Sequence, residues 1–290
     1  MTTAALLLVL ASALCHASWN FLLKRSGHKV SFMASAGAVG ALVFLAPAVV
    51  VTLDRGLGRD GLALCVVTAC LHGLYGLSLS RGYHIGDLSI VYPVSRGSAL
   101  ALIPLLAVVL LGETISGLAW IGIALVLAGV YSIHLDPRAL GDLLAPVRGL
   151  SGPAGRTALL TGGIIAAYSL WDKNALEEVS PLTLNQFAMV GHFLVLSPLL
   201  MMDSGRRVRS EWRASWRAIL AAGVLIAMAY LLVLAALTTS EVAYIAPSRE
   251  IGIVFGTIFG AVLLSEGYGR TRIAAALLIV AGVLLLAVAP

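Results

Sequence analysis

The sequence predicts an all-α membrane protein, with ten transmembrane helices arranged as two inverted five-helix repeats. Three observations carry this. Hydrophobic residues make up 60% of the 290 and charged residues only 11%, against roughly 25% charged in soluble domains. That excludes a soluble enzyme, a coiled coil and a disordered chain. The mean hydropathy is +0.99, and the apolar runs are far too long for the alternating strands of a membrane barrel, so helices span the bilayer. Finally, the motifs of the first half return in the second at a nearly constant displacement.

At about 20 residues per span, ten spans take about 200 residues and leave no room for a soluble domain. Charge, Gly or Pro bounds each run. The first span, near 4–23, stops at Lys24-Arg25, and the second, 31–53, at Asp54-Arg55. The third, 61–80, lies between Asp60 and Arg81, and the fourth, 87–110, ends before Gly112-Glu113. The fifth covers 116–134 and the sixth 157–176, which begins after Arg156. The seventh, 181–202, opens on Pro181 and stops at Asp203; the eighth, 215–238, emerges from an arginine-rich stretch. The ninth and tenth occupy 242–264 and 270–289. Met1-Thr2-Thr3 offers no basic region and Leu14 is wrong for a cleavage site, so the first run reads as a span and not as a signal peptide. Linker composition occurs at 136–155, with Pro137, Pro146 and Pro153, and this separates repeats at 1–135 and 156–290.

The repeats are traceable residue by residue. Ser95-Arg96, Gly112-Glu113 and Ala128-Gly129-Val130 return as Ser248-Arg249, Ser265-Glu266 and Ala281-Gly282-Val283, all displaced by 153. Asp87 and Pro93 correspond to Glu241 and Pro247 with one residue of slippage. Gly40 and Pro47 match Gly191 and Pro198, and the stripe His16, Trp19, Asn20 matches Tyr168, Trp171, Asp172. Because five is odd, the second repeat enters the bilayer from the opposite side. Secondary transporters are built this way, with a site near the midplane between the repeats.

The stretches Val91-Tyr92-Pro93, Ile103-Pro104-Leu105-Leu106, Leu110-Leu111-Gly112-Glu113 and Gly122 to Val130 resemble the fourth and fifth helices of the EamA-type repeat of the drug/metabolite transporter superfamily. The second copy, Ala246-Pro247 through Glu266 to Val283, resembles them too. The resemblance implies a ten-helix carrier with a central cavity, working by alternating access on a small molecule. Members move amino acids, sugars, nucleotide precursors, organic anions or drugs.

Candidate site residues follow from depth and spacing. Arg96 lies nine residues after Asp87 and seventeen before Glu113, which puts it roughly 13 Å and 25 Å from the two ends of a helix. An arginine so deep costs about 2.5–3.5 kcal/mol on the insertion scale, so it faces a partner, a cavity or a substrate. Arg249 holds the equivalent place, and Pro93 and Pro247 predict a helical break near each. Recognition of a carboxylate, phosphate or phosphonate is one role for the pair. The structural alternative pairs Arg249 with Glu250 and leaves Arg96 on carbonyls. His16, Trp19 and Asn20, and Tyr168, Trp171 and Asp172, are each spaced i, i+3, i+4 and form polar aromatic stripes, read as cavity lining or as interhelical seams. Trp171 also suits an interfacial belt. His72 and Tyr75 share a face, Tyr230 is the counterpart of Tyr75, and Asn185 and His192 share a face of the seventh span. Glu113 and Glu266 are expected to accept backbone donors at the start of the helix that follows each. Gly252, Gly256 and Gly260 form a small-residue stripe.

No metal spacing and no nucleophile with a base appear, so no cofactor, no metal and no enzymatic activity are expected. Cys15, Cys65 and Cys70 lie in apolar runs as packing residues. The net charge of +5 comes from span ends with no nucleic-acid motif. The loops after the odd-numbered spans hold fourteen Lys and Arg, the others only Arg55, Arg59 and Lys173. This bias puts both termini outside the cytoplasm, whereas ten-helix relatives imply termini inside. The expected protein is a multi-pass carrier of the bacterial inner membrane, exporter or exchanger, for a small polar metabolite with an anionic group. Export of zwitterionic amino acids is the alternative, followed by cationic drug export and a non-transporting membrane assembly role. A monomer suffices for this architecture, and the oligomeric state is open.

Overall fold

The computed structural model describes residues 1–85, 88–132, 152–201, 205–264 and 270–290. They form ten helical rods: α1 (Thr3–Arg25), α2 (Lys29–Val43 and Leu45–Arg55), α3 (Arg59–Ile85), α4 (Leu88–Leu106, continued by a π turn over Ala107–Leu111), α5 (Gly117–Ser132), α6 (Pro153–Ala175), α7 (Pro181–Met201), α8 (Arg206–Leu237), α9 (Val242–Ser248 and Ile251–Leu264) and α10 (Arg270–Val288). Six are long and apolar enough to cross a membrane among the described residues, α5 and α10 are shorter apolar helices, and α6 and α7 run 23 and 21 residues. The chain is a multi-pass membrane protein. Of the linker expected at 136–155, residues 136–151 lie outside the described residues and Pro153 already begins α6; Asp87 and Ser265-Glu266 also lie outside them.

The main helix contacts repeat themselves under exchange of halves. α1 packs on α8 and α9, and their counterparts α6 on α3 and α4; α2 packs on α8 as α7 packs on α3; α2 meets α7 and α5 meets α10. Each of these principal contacts therefore joins one half to the other, so the halves interlock around a common centre. Small residues set the close crossings. A Cβ on Gly40 would sit 3.1 Å from the Gly223 carbonyl, and the related pair shows the same geometry, with Gly73 at 3.3 Å from the Gly191 carbonyl. Gly122 and Gly282 similarly approach each other's carbonyls, at 2.8 and 2.6 Å.

Several boundaries differ from the sequence reading. α2 is broken at Phe44, because Pro47 removes the donor for the Val43 carbonyl and its ring crowds that group. α8 starts at Arg206, nine residues ahead of the expected 215, and contains a non-helical Ser215 (φ −137°, ψ 23°). α9 is interrupted at Arg249-Glu250, just after Pro247. The expected twin break near Arg96 is absent: α4 is one helix from Leu88 through Pro93 to Leu106. Pro93 stands six residues into its helix, as Pro247 does in its own, so the proline alone does not decide the break.

Candidate substrate cavity

The break in α9 is held by bonds from the Glu250 N–H to the Pro247 carbonyl (3.1 Å) and from the Ile253 N–H to the Glu250 carbonyl (2.9 Å). These three-residue closures carry the chain across the interruption. They bring Arg249 and Glu250 to the centre of the molecule, opposite Arg96 of α4. There Nη1 of Arg96 lies 3.4 Å from Oε1 of Glu250, with Glu250 5% exposed. The structural alternative offered by the sequence paired Glu250 with its neighbour Arg249 and left Arg96 on carbonyls or snorkelling. A side chain one residue away on a helical turn points elsewhere, and the symmetry-related helix supplies the cation instead.

Two hollows meet at these residues. The outer one, of 330 Å³, is bounded by His16 and Asn20 of α1, by Arg96, Arg249 and Glu250, and by Arg272 of α10. The inner one, of 160 Å³, is walled by aromatic residues: Trp19, His72, Tyr75, Tyr168, His192 and Tyr230. His16, Arg96 and Arg249 line both. Asn20 is exposed and its amide donates to the His16 carbonyl (2.8 Å), so the outer hollow extends toward the end of the bundle that holds the C-terminus of α1. The other end is tied by polar bonds. Glu113 accepts from the Val242 and Ala243 N–H groups at 2.7 and 2.9 Å, and Lys173 donates to the Leu237 and Ser240 carbonyls. Glu113 thus caps α9 of the opposite half and not the following helix α5, because the interlocked packing places the α9 start beside the α4–α5 turn.

Behind the inner hollow lies a polar knot. Asp172 is fully buried and accepts from Thr68 Oγ1 (2.6 Å) and from the Tyr230 hydroxyl, while Nε2 of His72 is 3.0 Å from Asp172 and 3.0 Å from the Tyr230 oxygen. The His72 ring sits 4.4 Å from that of Tyr168, and Tyr75 is 5.7 Å from Tyr168 and 5.8 Å from His192. His16 and Trp19 meet edge-on at 5.0 Å.

Nine of the ten candidate residues, Arg96, Arg249, His16, Trp19, Asn20, His72, Tyr75, Tyr168 and Tyr230, therefore border one or both hollows. Trp171 does not. Its indole N–H donates to the Leu64 carbonyl of α3 (3.1 Å), an interhelical role. Of the small-residue stripe, Gly252 and Gly256 both line the outer hollow, and Gly252 also packs on Ala13. His192, which the sequence paired with Asn185 on one face, and Glu250, which it offered only as a partner of Arg249, also belong to the lining, and the Arg96–Glu250 pairing had no sequence signal beyond the repeat itself. No group of three metal-ligating side chains occurs among the described residues.

A solved structure described as "Crystal structure of protein" has the same fold, with a TM-score of 0.76 at 17% identity, covering 98% of this chain and 96% of that one. None of the curated proteins compared with the chain matches it. The EamA-like transporter family profile matches residues 3–135 and again 156–288. With two matches spanning nearly the whole chain and the inverted fold around a central cavity, the protein belongs to the EamA-like transporter family of the drug/metabolite transporter superfamily.

Proposed function

We propose that this transporter moves a small polar metabolite bearing a carboxylate, phosphate or phosphonate group, as an exporter or exchanger in a bacterial inner membrane. The observation that carries the reading is the charge of the outer hollow, whose lining among the described residues holds Arg96, Arg249 and Arg272 and one carboxylate, Glu250. In a low-dielectric setting that imbalance favours an anion, and the guanidinium fork matches planar oxyanions with paired donors. Arg96 and Arg249 come from opposite halves of the chain. An anion held between them couples occupancy to the relative position of the halves, as alternating access requires. The aromatic wall of the inner hollow accommodates the remainder of the solute.

A second reading, export of a zwitterionic amino acid, is favoured by Glu250 itself. The carboxylate of the solute would engage Arg249, and its ammonium would take the place of Arg96 beside Glu250. A cationic drug fits less well, since the acidic Asp172 is fully buried beneath Thr68, His72 and Tyr230.

A thermal-stability screen of purified protein with small organic anions, phosphonates, amino acids and cationic drugs tests the class, because a solute selective for the folded state raises its melting temperature. Stabilisation by anions lacking an amine supports the first reading. Stabilisation confined to amino acids favours the second, and stabilisation only by cations rejects both.

A further inference from the structure

We propose that the N-terminal segment of α8, with the end of α1, forms a binding site for the headgroup of an anionic phospholipid. Residues 206–217 carry Arg206, Arg207, Arg209, Arg213 and Arg217. Their placement is ordered by the fold. Val208, Glu211, Trp212 and Ser215, spaced i, i+3, i+4, i+7, face the protein. Glu211, 2% exposed, accepts from the His28 N–H (2.8 Å), and the Trp212 indole donates to the Ser35 hydroxyl (3.0 Å). Arg206, Arg209 and Arg213 are consequently held on the opposite, exposed face.

The non-helical Ser215 then turns the chain before the apolar part of α8 begins. This creates a crevice of 480 Å³ between α8 and the end of α1, with Arg25, Arg213 and Arg217 at its rim and Leu22, Phe32 and Trp216 on its apolar side. Arg213 continues it into a second hollow with Arg206 and Arg209. No acidic residue borders either hollow among the described residues. Lys29, by contrast, is committed to the carbonyls of Leu23, Lys24 and Ser26. The crevice sits where the apolar stretches of α1 and α8 both end, at the level of lipid headgroups. Trp216 is 48% exposed, with the Arg217 guanidinium 5.2 Å from its ring centre. A tryptophan at that level places an apolar body against acyl chains and glycerol while the arginines take the phosphodiester.

The arginines of α8 are particular to the second half. The matching junction of the first half, between α2 and α3, carries Asp54, Arg55, Arg59 and Asp60, whose charges cancel. The corresponding junction therefore carries no net cationic cluster. A phosphodiester lipid supplies what this crevice lacks, negative charge joined to an apolar tail, and clustered basic residues beside a span are attracted to anionic bilayers.

The test uses the full chain in nanodiscs of phosphatidylcholine alone or with equal parts phosphatidylglycerol, reading retained lipid by native mass spectrometry and melting temperature. The expected result is selective retention of phosphatidylglycerol and a higher melting temperature with it. In R213Q/R217Q its affinity should fall about thirtyfold, the worth of two arginines at an anionic surface. R213K/R217K should keep part of the effect, and R55Q/R59Q on the other junction all of it. Equal retention of both lipids, equal phosphatidylglycerol binding by wild type and R213Q/R217Q, or full competition by inorganic phosphate would overturn the proposal. Should R213Q/R217Q fail to fold, R206Q/R209Q serves in its place with the same expectation.

Discussion

Asp172 gathers donors from Thr68 and Tyr230, with His72 Nε2 alongside, at a site with no exposure, so its removal is costly in proportion to what it leaves unpaired. Asp172→Ala should destabilise by about 3–5 kcal/mol, as the breaking of buried charged contacts does. Asp172→Asn keeps a carbonyl acceptor and should cost about 1–3 kcal/mol. Thermal denaturation in detergent measures both; equal, small losses would show that the knot contributes little. The sequence placed Asp172 on a polar stripe with Tyr168 and Trp171, and that spacing is right. What spacing cannot give is which way the stripe turns. Tyr168 reaches the hollow and Asp172 turns into the knot, while Trp171 reaches a backbone carbonyl of α3. Likewise, depth alone singled out Arg96 and Arg249, but the ion pair to Glu250 depends on the interlocking of halves, which no local pattern encodes.

Glycines at the element scale separate packing from mere composition. A Cβ at Gly191 would stand 2.0 Å from the Ala69 carbonyl, whereas one at Gly163 meets nothing within 4 Å. Gly191→Ala should therefore destabilise by about 1–3 kcal/mol through overpacking at the α3–α7 crossing. Gly163→Ala should be neutral or stabilise by up to about 1 kcal/mol by its helix propensity. Paired melting curves check the contrast, and a tolerated Gly191→Ala would mean that the crossing is looser than described. Glu113 makes the comparable test for the capped end. Glu113→Ala strips two buried N–H groups of their acceptor and should cost about 1–3 kcal/mol, with Glu113→Gln intermediate. The helices themselves were legible from apolar runs and charged ends. Their internal breaks were only partly so, since proline breaks α2 and precedes the interruption of α9, yet Pro93 and Pro198 sit inside continuous helices. Whether the lost bond breaks a rod is decided by the packing around it.

For the whole molecule, the duplicated sequence foretold both the inverted architecture and the meeting of Arg96 with Arg249's surroundings, because symmetry-related residues converge on the axis. It did not foretell that the principal contacts run between halves, since a constant displacement is silent about which faces meet. The charge bias along the chain also belongs to this scale. By the positive-inside rule, a cysteine at Ser210 should be shielded from membrane-impermeant reagents in intact cells, and ready labelling there would reverse the orientation. The central claim is that arginines from both halves hold the anionic group of the transported solute. Its most direct test is the affinity of the best stabilising anion for wild type, Arg249→Lys and Arg249→Gln, by titration calorimetry. Charge-assisted bonds of about 1.5–3 kcal/mol predict a loss of roughly ten- to 150-fold for Arg249→Gln and a smaller one for Arg249→Lys. Unchanged affinity in Arg249→Gln would contradict the account.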